Sequence, residues 1–137
     1  MEEDRLNQLF SRIIGAAIDV HREPGSGLLE SIYAHCMVRE LQSRELRVHR
    51  EVPVPIRFKS ELLQKEFLID LLVENEIIIE LKSVETIILL HESLLLSLLR
   101  LSGKRLGRLI NFKSTYSSTA FVVSSMAGIK RLPNWCF

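Results

Sequence analysis

Two amphipathic stretches of sequence open the chain. Apolar residues recur every three or four positions over about 4–22 and again over about 27–44, which is the spacing of helices that bury one face. The segment 24–27, Pro-Gly-Ser-Gly, lies between them and breaks the helical pattern. We therefore predict two helices before the first strand. The residues expected to face the core are Leu6, Leu9, Phe10, Ile13, Ile14, Ala17 and Val20 in the first helix and Leu29, Ile32, Tyr33, Cys36, Met37 and Leu41 in the second.

Three strand patterns follow the helices. Alternating apolar residues predict a strand over 48–58, and Pro53 and Pro55 within it indicate an edge strand or an irregular start. The apolar runs 67–73 and 77–82 are separated by three polar residues, which is typical of a hairpin with a three-residue loop. We expect this hairpin to lie at the centre of a sheet.

The remaining pattern predicts one more helix and further strands. A leucine-rich stretch over 86–102 is helical by length and is ended by Gly103. A strand over 106–112, a loop over 113–119 and a short strand over 120–123 complete the pattern. The order of elements implies an α/β protein with a mixed central sheet flanked by helices.

Length and composition favour one intracellular domain. The chain has 137 residues, of which 47% are hydrophobic and 26% charged, so we expect a single domain over 1–137. Cys36 and Cys136 show no spacing typical of a disulfide framework or a zinc site. The acidic start is a poor signal peptide, and the apolar stretch over 86–101 falls short of the ~20 residues that span a bilayer. These features favour a cytoplasmic protein without a membrane partner.

Positive charge is concentrated towards the end of the chain. Residues 93–137 carry 7 basic and no acidic side chains, whereas residues 1–92 carry 11 basic and 17 acidic ones. Such a segment either contacts a polyanion such as nucleic acid or pairs with the acidic part of the chain. The residues that would contact phosphates are Arg100, Lys104, Arg105 and Arg108. The alternative is that these residues only form a solvated helix end. Without a base-reading motif, any nucleic-acid binding would be independent of base sequence.

Two carboxylates interrupt the apolar strands of the predicted hairpin. Pairing of 73 with 77 would place Asp70 opposite Glu80, with their Cβ atoms roughly 5 Å apart. Lys82 shares the face of Glu80, and Leu81 offers its backbone carbonyl. Asp70, Glu80 and this carbonyl are suited to Mg²⁺ or Mn²⁺, and Lys82 would hold the attacking water. The alternative is an ion pair of Lys82 with one carboxylate at the sheet edge, without chemistry.

Two motifs in the chain resemble those of a known family. Gly27, Glu30 and Tyr33 fit the pattern GxxExxY, and Asp70 with the segment 80–82, Glu-Leu-Lys, fits the metal motif of PD-(D/E)XK nuclease-like proteins. The chain thus resembles the GxxExxY family of that superfamily from Ile13 to Phe112, and again at 128–131.

The resemblance implies a fold, an activity and a set of site residues. It implies a restriction-endonuclease-like αβββαβ core and hydrolysis of DNA phosphodiester bonds. Asp70 and Glu80 would bind the divalent metal, Lys82 would assist catalysis, and Glu30 would complete the acidic cluster. Tyr33 is expected to pack or hydrogen-bond rather than react.

The leucine-rich helix departs from the family pattern. Leu94 and Leu98 stand where such proteins usually carry a polar Gln and a Tyr that face the active site. An alternative function is therefore an inactive nuclease-fold module that acts in nucleic-acid binding or assembly. Leucines on nearly every side of the 86–102 helix indicate complete burial or a subunit interface such as a homodimer. His91 would either touch phosphate or metal, or cap and pack this helix.

Overall fold

The helices and strands follow one another in the order that the sequence pattern predicts. The computed structural model describes residues 2–25 and 27–113, except the side chains of 65 and 66, and the backbone of 122–125. Within these residues the elements are α1 (Glu2–Arg22), α2 (Glu30–Ser43), β1 (Val48–Phe58), β2 (Glu61–Val73), β3 (Ile77–Lys82), α3 (Leu89–Ser102), β4 (Leu106–Asn111) and β5 (Val122–Ser125).

The five strands form one mixed sheet in the order β1-β2-β3-β4-β5. The pairs β1/β2, β2/β3 and β4/β5 are antiparallel, and β3/β4 is parallel, with α3 as the connection between its strands. The succession from α2 to β4 is αβββαβ. The predicted α/β class, a mixed sheet flanked by helices, is therefore confirmed.

The two faces of the sheet are covered by different helices. Leu71, Ile77 and Ile79 pack with residues of α1 and α2, whereas Leu72 and Ile78 pack with residues of α3. This division follows from the period of two along a strand, which sends successive side chains to opposite faces. These central strands read as continuous apolar runs because both of their faces are buried.

A glycine on β4 lets α3 approach the sheet closely. A Cβ atom on Gly107 would lie 2.8 Å from Cδ1 of Leu95 and 3.2 Å from Cδ2 of Leu99. Any larger residue would force the side chains of Leu95 and Leu99 to move, so Gly107 permits this close packing of α3 on β4.

The second helix and β2 begin at other residues than predicted. The second helix begins at Glu30 instead of 27, because Gly27 has φ 94° and Leu29 is extended. Leu29 and Ile32 are consequently exposed, not in the core. β2 begins six residues earlier than predicted because β1 pairs with it as far as Glu61.

Of the two alternatives for the leucine-rich helix, complete burial within the chain is wrong. Leu95, Leu98 and Leu99 face the sheet, but Leu89 is 79% exposed at the start of α3. The other exposed apolar residues of its outer face are Leu90, Leu94, Leu96 and Leu101. None of the helices among the described residues has the length and apolar character needed to cross a bilayer.

Part of the sequence prediction concerns residues outside the described ranges. The strand predicted over 120–123 corresponds to β5, whose described backbone covers Val122–Ser125. Residues 114–119 of the loop predicted over 113–119 lie outside the described residues, as do the family match at 128–131 and Cys136.

Candidate functional site

The β2–β3 hairpin brings two carboxylates side by side. The strands pair Val73 with Ile77 and Leu71 with Ile79, so Asp70 and Glu80 come next along the hairpin. The backbone N–H of Asp70 donates to Oε1 of Glu80 at 3.1 Å, and the N–H of Leu81 donates to Oδ2 of Asp70 at 2.8 Å. The predicted hairpin register is confirmed, and both carboxylates are oriented by backbone amides.

Burial and repulsion make one of these carboxylates hard to ionise. Glu80 is only 9% exposed. Burial raises the pKa of Glu80 to about 8, the charge of Asp70 contributes to the rise, and the charge of Lys82 opposes it. A carboxyl that stays protonated at neutral pH without a cation is a site where a bound cation would displace a proton.

Lys82 lies close to this pair without an ion pair to it. Among the described residues, its ammonium group is not within 4.0 Å of any carboxylate oxygen, although its charge lowers the pKa of Glu80. Lys82 therefore does not form the ion pair with Asp70 or Glu80 that was the structural alternative.

Buried polar groups hold the strand ends beside Lys82. The N–H of Phe112 donates to the carbonyl of Lys82 at 2.8 Å. The side-chain amide of Asn111, which is buried, bonds both the N–H and the carbonyl of Val84, at 3.1 and 2.8 Å. These bonds satisfy the backbone where β3 ends, so the position of Lys82 is set by β4.

The GxxExxY residues connect α2 to the same strand end. The hydroxyl of Tyr33 donates to the carbonyl of Gly25 and accepts from the N–H of Leu28 at 3.2 Å, which closes the turn before the helix. Gly27 supplies the positive φ of that turn. Glu30 is then the first residue of α2, and its carboxylate accepts from the N–H of Ser83 at 3.2 Å. Tyr33 therefore has a structural role, and Glu30 reaches the residue after Lys82.

A cavity of about 190 Å³ lies at this edge of the sheet. It brings together the predicted residues Glu30, Asp70 and Leu81. Its remaining lining residues are Ser31, Ala34, Arg50 and Glu51. Glu80 and Lys82 flank Leu81 in the sequence, but they do not line the cavity.

Arg50 and Glu51 are site residues that the sequence reasoning missed. The β1–β2 register pairs Arg50 with Leu71 and Val52 with Ile69, which puts Glu51 level with Asp70. The turn at Lys59-Ser60 lacks the Gly or Asn that marks tight hairpin turns, and the register shifts by two residues between Pro55 and Arg57. The sequence therefore carries no local signal that would have placed Glu51 beside Asp70.

The donor set fits a hard divalent cation. The described residues include no group of three Asp, Glu, His or Cys side chains already gathered for a metal. However, Asp70 and Glu80 are adjacent oxygen donors, and Glu30 lies at the same cavity. Mg²⁺ is commonly held by one or two carboxylates and completes its shell with water. The chemistry of these side chains therefore suits Mg²⁺ or Mn²⁺.

The predicted basic cluster lies elsewhere. Arg108 is fully buried, with its guanidinium carbon 4.0 Å from the ring centre of Phe10, so it cannot contribute to an exposed phosphate-binding surface. Lys104 donates to the carbonyl of Asn75 at 2.9 Å, in the β2–β3 loop. Arg100 and Arg105 are exposed beside Lys104. They lie at the opposite end of β3 from Lys82, roughly 17 Å away by strand rise.

A larger cavity of about 670 Å³ occupies that opposite end. Two of its carboxylates are already paired, Glu76 with Arg5 and Glu74 with Arg47. The cavity is therefore a gap between ion pairs that clamp the hairpin loop, and it does not touch the Asp70–Glu80 pair.

The residues of α3 do not line the 190 Å³ cavity. Nδ1 of His91 accepts from the N–H of Ile88 at 3.1 Å, so His91 caps the helix. Leu98 is buried against the sheet, and neither Leu98 nor Leu94 lines the 190 Å³ cavity.

Comparison with known proteins identifies one relationship. A family model for the PD-(D/E)XK nuclease superfamily matches residues 7–122. No curated protein and no solved structure matches the chain significantly.

Proposed function

Because the chain belongs to the PD-(D/E)XK nuclease superfamily, we propose that it is a divalent-metal-dependent nuclease that hydrolyses DNA phosphodiester bonds. We place it in the GxxExxY group on Gly27, Glu30 and Tyr33. The observation that carries the proposal is the adjacent Asp70–Glu80 pair, with which no lysine of the described part of the chain forms an ion pair. Ionisation of the buried Glu80 beside the half-buried Asp70 is costly, and a bound cation would offset that cost.

Each site residue has a role in this proposal. Asp70 and Glu80 hold the metal, with the Leu81 carbonyl and Glu30 as further oxygen donors. When bound, Mg²⁺ or Mn²⁺ acidifies a water molecule and stabilises negative charge on a phosphoryl oxygen. Lys82 orients the attacking water through its ammonium group. Contacts to the DNA go to phosphates, so cleavage is independent of base sequence.

Calorimetric titration with Mn²⁺, followed by plasmid cleavage with the same preparations, tests this function. The variants are Asp70→Asn, which keeps the shape of the side chain, and Glu3→Gln as a charge-matched control. Glu3 is exposed in the first turn of α1, far from the site. We expect wild type and Glu3→Gln to bind Mn²⁺ and cleave DNA, and Asp70→Asn to lose at least tenfold in affinity and to lose cleavage.

Two results would contradict the nuclease function. If the wild type binds no Mn²⁺, the role of Asp70, Glu80 and Lys82 is only structural. Cleavage that persists at the wild-type rate in Asp70→Asn would trace the activity to another site or to a contaminant.

A second candidate is an inactive nuclease-fold module that assembles as a homodimer through α3. The observation in its favour is the exposed apolar face of α3, on which Leu89 is 79% exposed. Sedimentation velocity would then show a dimer for wild type and for Leu62→Asp, an exposed apolar site on β2, but a monomer for Leu89→Asp. A wild-type monomer would exclude this candidate.

A further inference from the structure

An arginine that no predicted motif includes lines the cavity of the carboxylates. Arg50, on β1, shares the 190 Å³ cavity with Glu30, Glu51 and Asp70. Arg50 is exposed, and among the described residues its guanidinium forms no hydrogen bond and no ion pair. An arginine that forms no ion pair with the three carboxylates near it has its donors available for a ligand.

A break in the strand brings Glu51 into the cavity beside Arg50, which faces α2 by the ordinary alternation from Val48. Successive side chains of a regular strand point to opposite faces, yet Arg50 and Glu51 both line this cavity. Glu51 has φ 50°, a left-handed conformation that is unfavourable for a residue other than glycine. The strand therefore reverses its alternation at Glu51.

The core packing shows the same reversal. Val48 packs with α1 and α2, whereas Val52 and Val54 pack with α3, although all three are an even number of residues apart. In β2, Ile69 packs on the α3 side and Leu71 on the α1 and α2 side. Both strands thus switch faces at the level of Glu51 and Asp70. Strained conformations of this kind persist where the surrounding structure holds them, and they are concentrated at functional sites.

We propose that Arg50 binds a phosphate group of the nucleic-acid substrate next to the Asp70–Glu80 pair; this inference rests on the proposed nuclease function. A guanidinium matches two phosphate oxygens with two parallel hydrogen bonds. The cavity is smaller than the roughly 300–1,000 Å³ that encloses a whole ligand, so a phosphate group is the part of the substrate that enters. Arg50 also offsets the repulsion between the phosphate and the carboxylates.

Fluorescence anisotropy with a labelled single-stranded DNA oligonucleotide tests this assignment. The measurement is made in EDTA, so that binding is separated from cleavage. The variants are Arg50→Gln, Arg50→Lys and, as a matched control for charge, Arg39→Gln. Arg39 is exposed on α2 and lines a different cavity. We expect Arg50→Gln to weaken binding about tenfold and to lower the slope of log affinity against log salt by about 0.7, the value for one lost phosphate contact.

The other two variants separate charge from geometry. Arg50→Lys keeps the charge, so it retains the salt slope, but it binds more weakly because a lysine cannot make the paired hydrogen bonds. Arg39→Gln leaves the affinity within twofold of wild type. Because Arg50 is exposed, we expect all variants to fold, which their thermal unfolding midpoints verify.

Failure of this inference differs from failure of the nuclease function. The role of Arg50 would be overturned if Arg50→Gln and Arg39→Gln had the same slope of log affinity against log salt. It would also be overturned if the wild type did not bind the oligonucleotide at low salt. A wild-type protein with an Arg50-dependent slope but no Mn²⁺-dependent cleavage would instead refute the nuclease function and leave the phosphate site in place.

Discussion

At the scale of single residues, Asp70 and Glu80 carry most of the chemical information. Each accepts a hydrogen bond from a backbone amide of the other strand, so neither is free to rotate away from its neighbour. Glu80 is buried and Asp70 is half-buried, so the two carboxylates repel each other and lose part of their hydration. The hairpin therefore stores an unfavourable interaction that a proton or a cation relieves.

Glu80 is expected to make the metal-free protein less stable as the pH rises. Its pKa is 4.5 when unfolded and about 8 when folded, so between these values the folded state binds more protons. The free energy of unfolding should fall over this window, by at most about 1.4 kcal/mol per pH unit from this group. In Glu80→Gln this dependence should be absent.

Urea unfolding in EDTA at several pH values between 5 and 8 measures this effect. The carboxylates Glu2, Glu74 and Glu76 have a lowered pKa, so they titrate below the window. A constant difference in unfolding free energy between wild type and Glu80→Gln across the window would contradict the prediction.

At the scale of elements, the β1–β2 pair extends well beyond the rest of the sheet. β3 pairs with β2 only from Leu71 to Val73, so residues 52–69 form a two-stranded arm. Pro53 and Pro55 remove two N–H groups from β1, which is the edge strand, as predicted. They thereby protect the arm from pairing with another chain. The arm begins at Glu51 and Asp70, beside the candidate site.

The turn at the tip of the arm is predicted to be improvable. Lys59 and Ser60 both have positive φ, at 48° and 66°, which suits Asn-Gly much better. The double variant Lys59→Asn, Ser60→Gly should raise the free energy of unfolding by about 1 kcal/mol, because it relieves two unfavourable conformations.

Urea unfolding measures this gain, and the variant Ser60→Val, which is β-branched, should lose stability instead. Equal stability of all three proteins would mean that the arm unfolds separately from the sheet.

At the scale of the whole molecule, the candidate site and a group of ion pairs lie at opposite ends of β3. The carboxyl ends of β3 and β4 lie together because these strands are parallel, and Asp70, Glu80 and Lys82 gather there. The opposite end is closed by ion pairs such as Arg5 with Glu76. Ligand sites of open α/β sheets commonly lie outside the carboxyl ends of the strands.

A cation at this edge would connect β2, β3 and the start of α2, so it should stabilise the entire fold. With Mn²⁺ at about 100 times its Kd, the free energy of unfolding should rise by about 2.7 kcal/mol, which corresponds to about 10 °C in Tm. Differential scanning calorimetry measures the shift. We expect it in wild type and Glu3→Gln but not in Asp70→Asn; an equal shift in all three would indicate nonspecific binding.

Much of the fold and half of the candidate site followed from local patterns. The period of the apolar residues predicted the helices and the β2–β3 hairpin, and the three-residue loop fixed the register that pairs Asp70 with Glu80. Such features depend on residues close in sequence, so the sequence by itself determined them. It failed where the partner was distant: β2 was predicted too short because its outer half pairs only with β1.

Only the tertiary structure decided which side chains reach the site. Glu51 enters the cavity beside Arg50 because it reverses the alternation of β1, and no local pattern indicates a positive φ at a glutamate. Arg108 was expected among exposed basic residues, but β4 buries it over Phe10 of α1. In both cases the direction of a side chain depends on strand pairing and helix docking, whereas the sequence pattern carries only hydrophobicity and spacing.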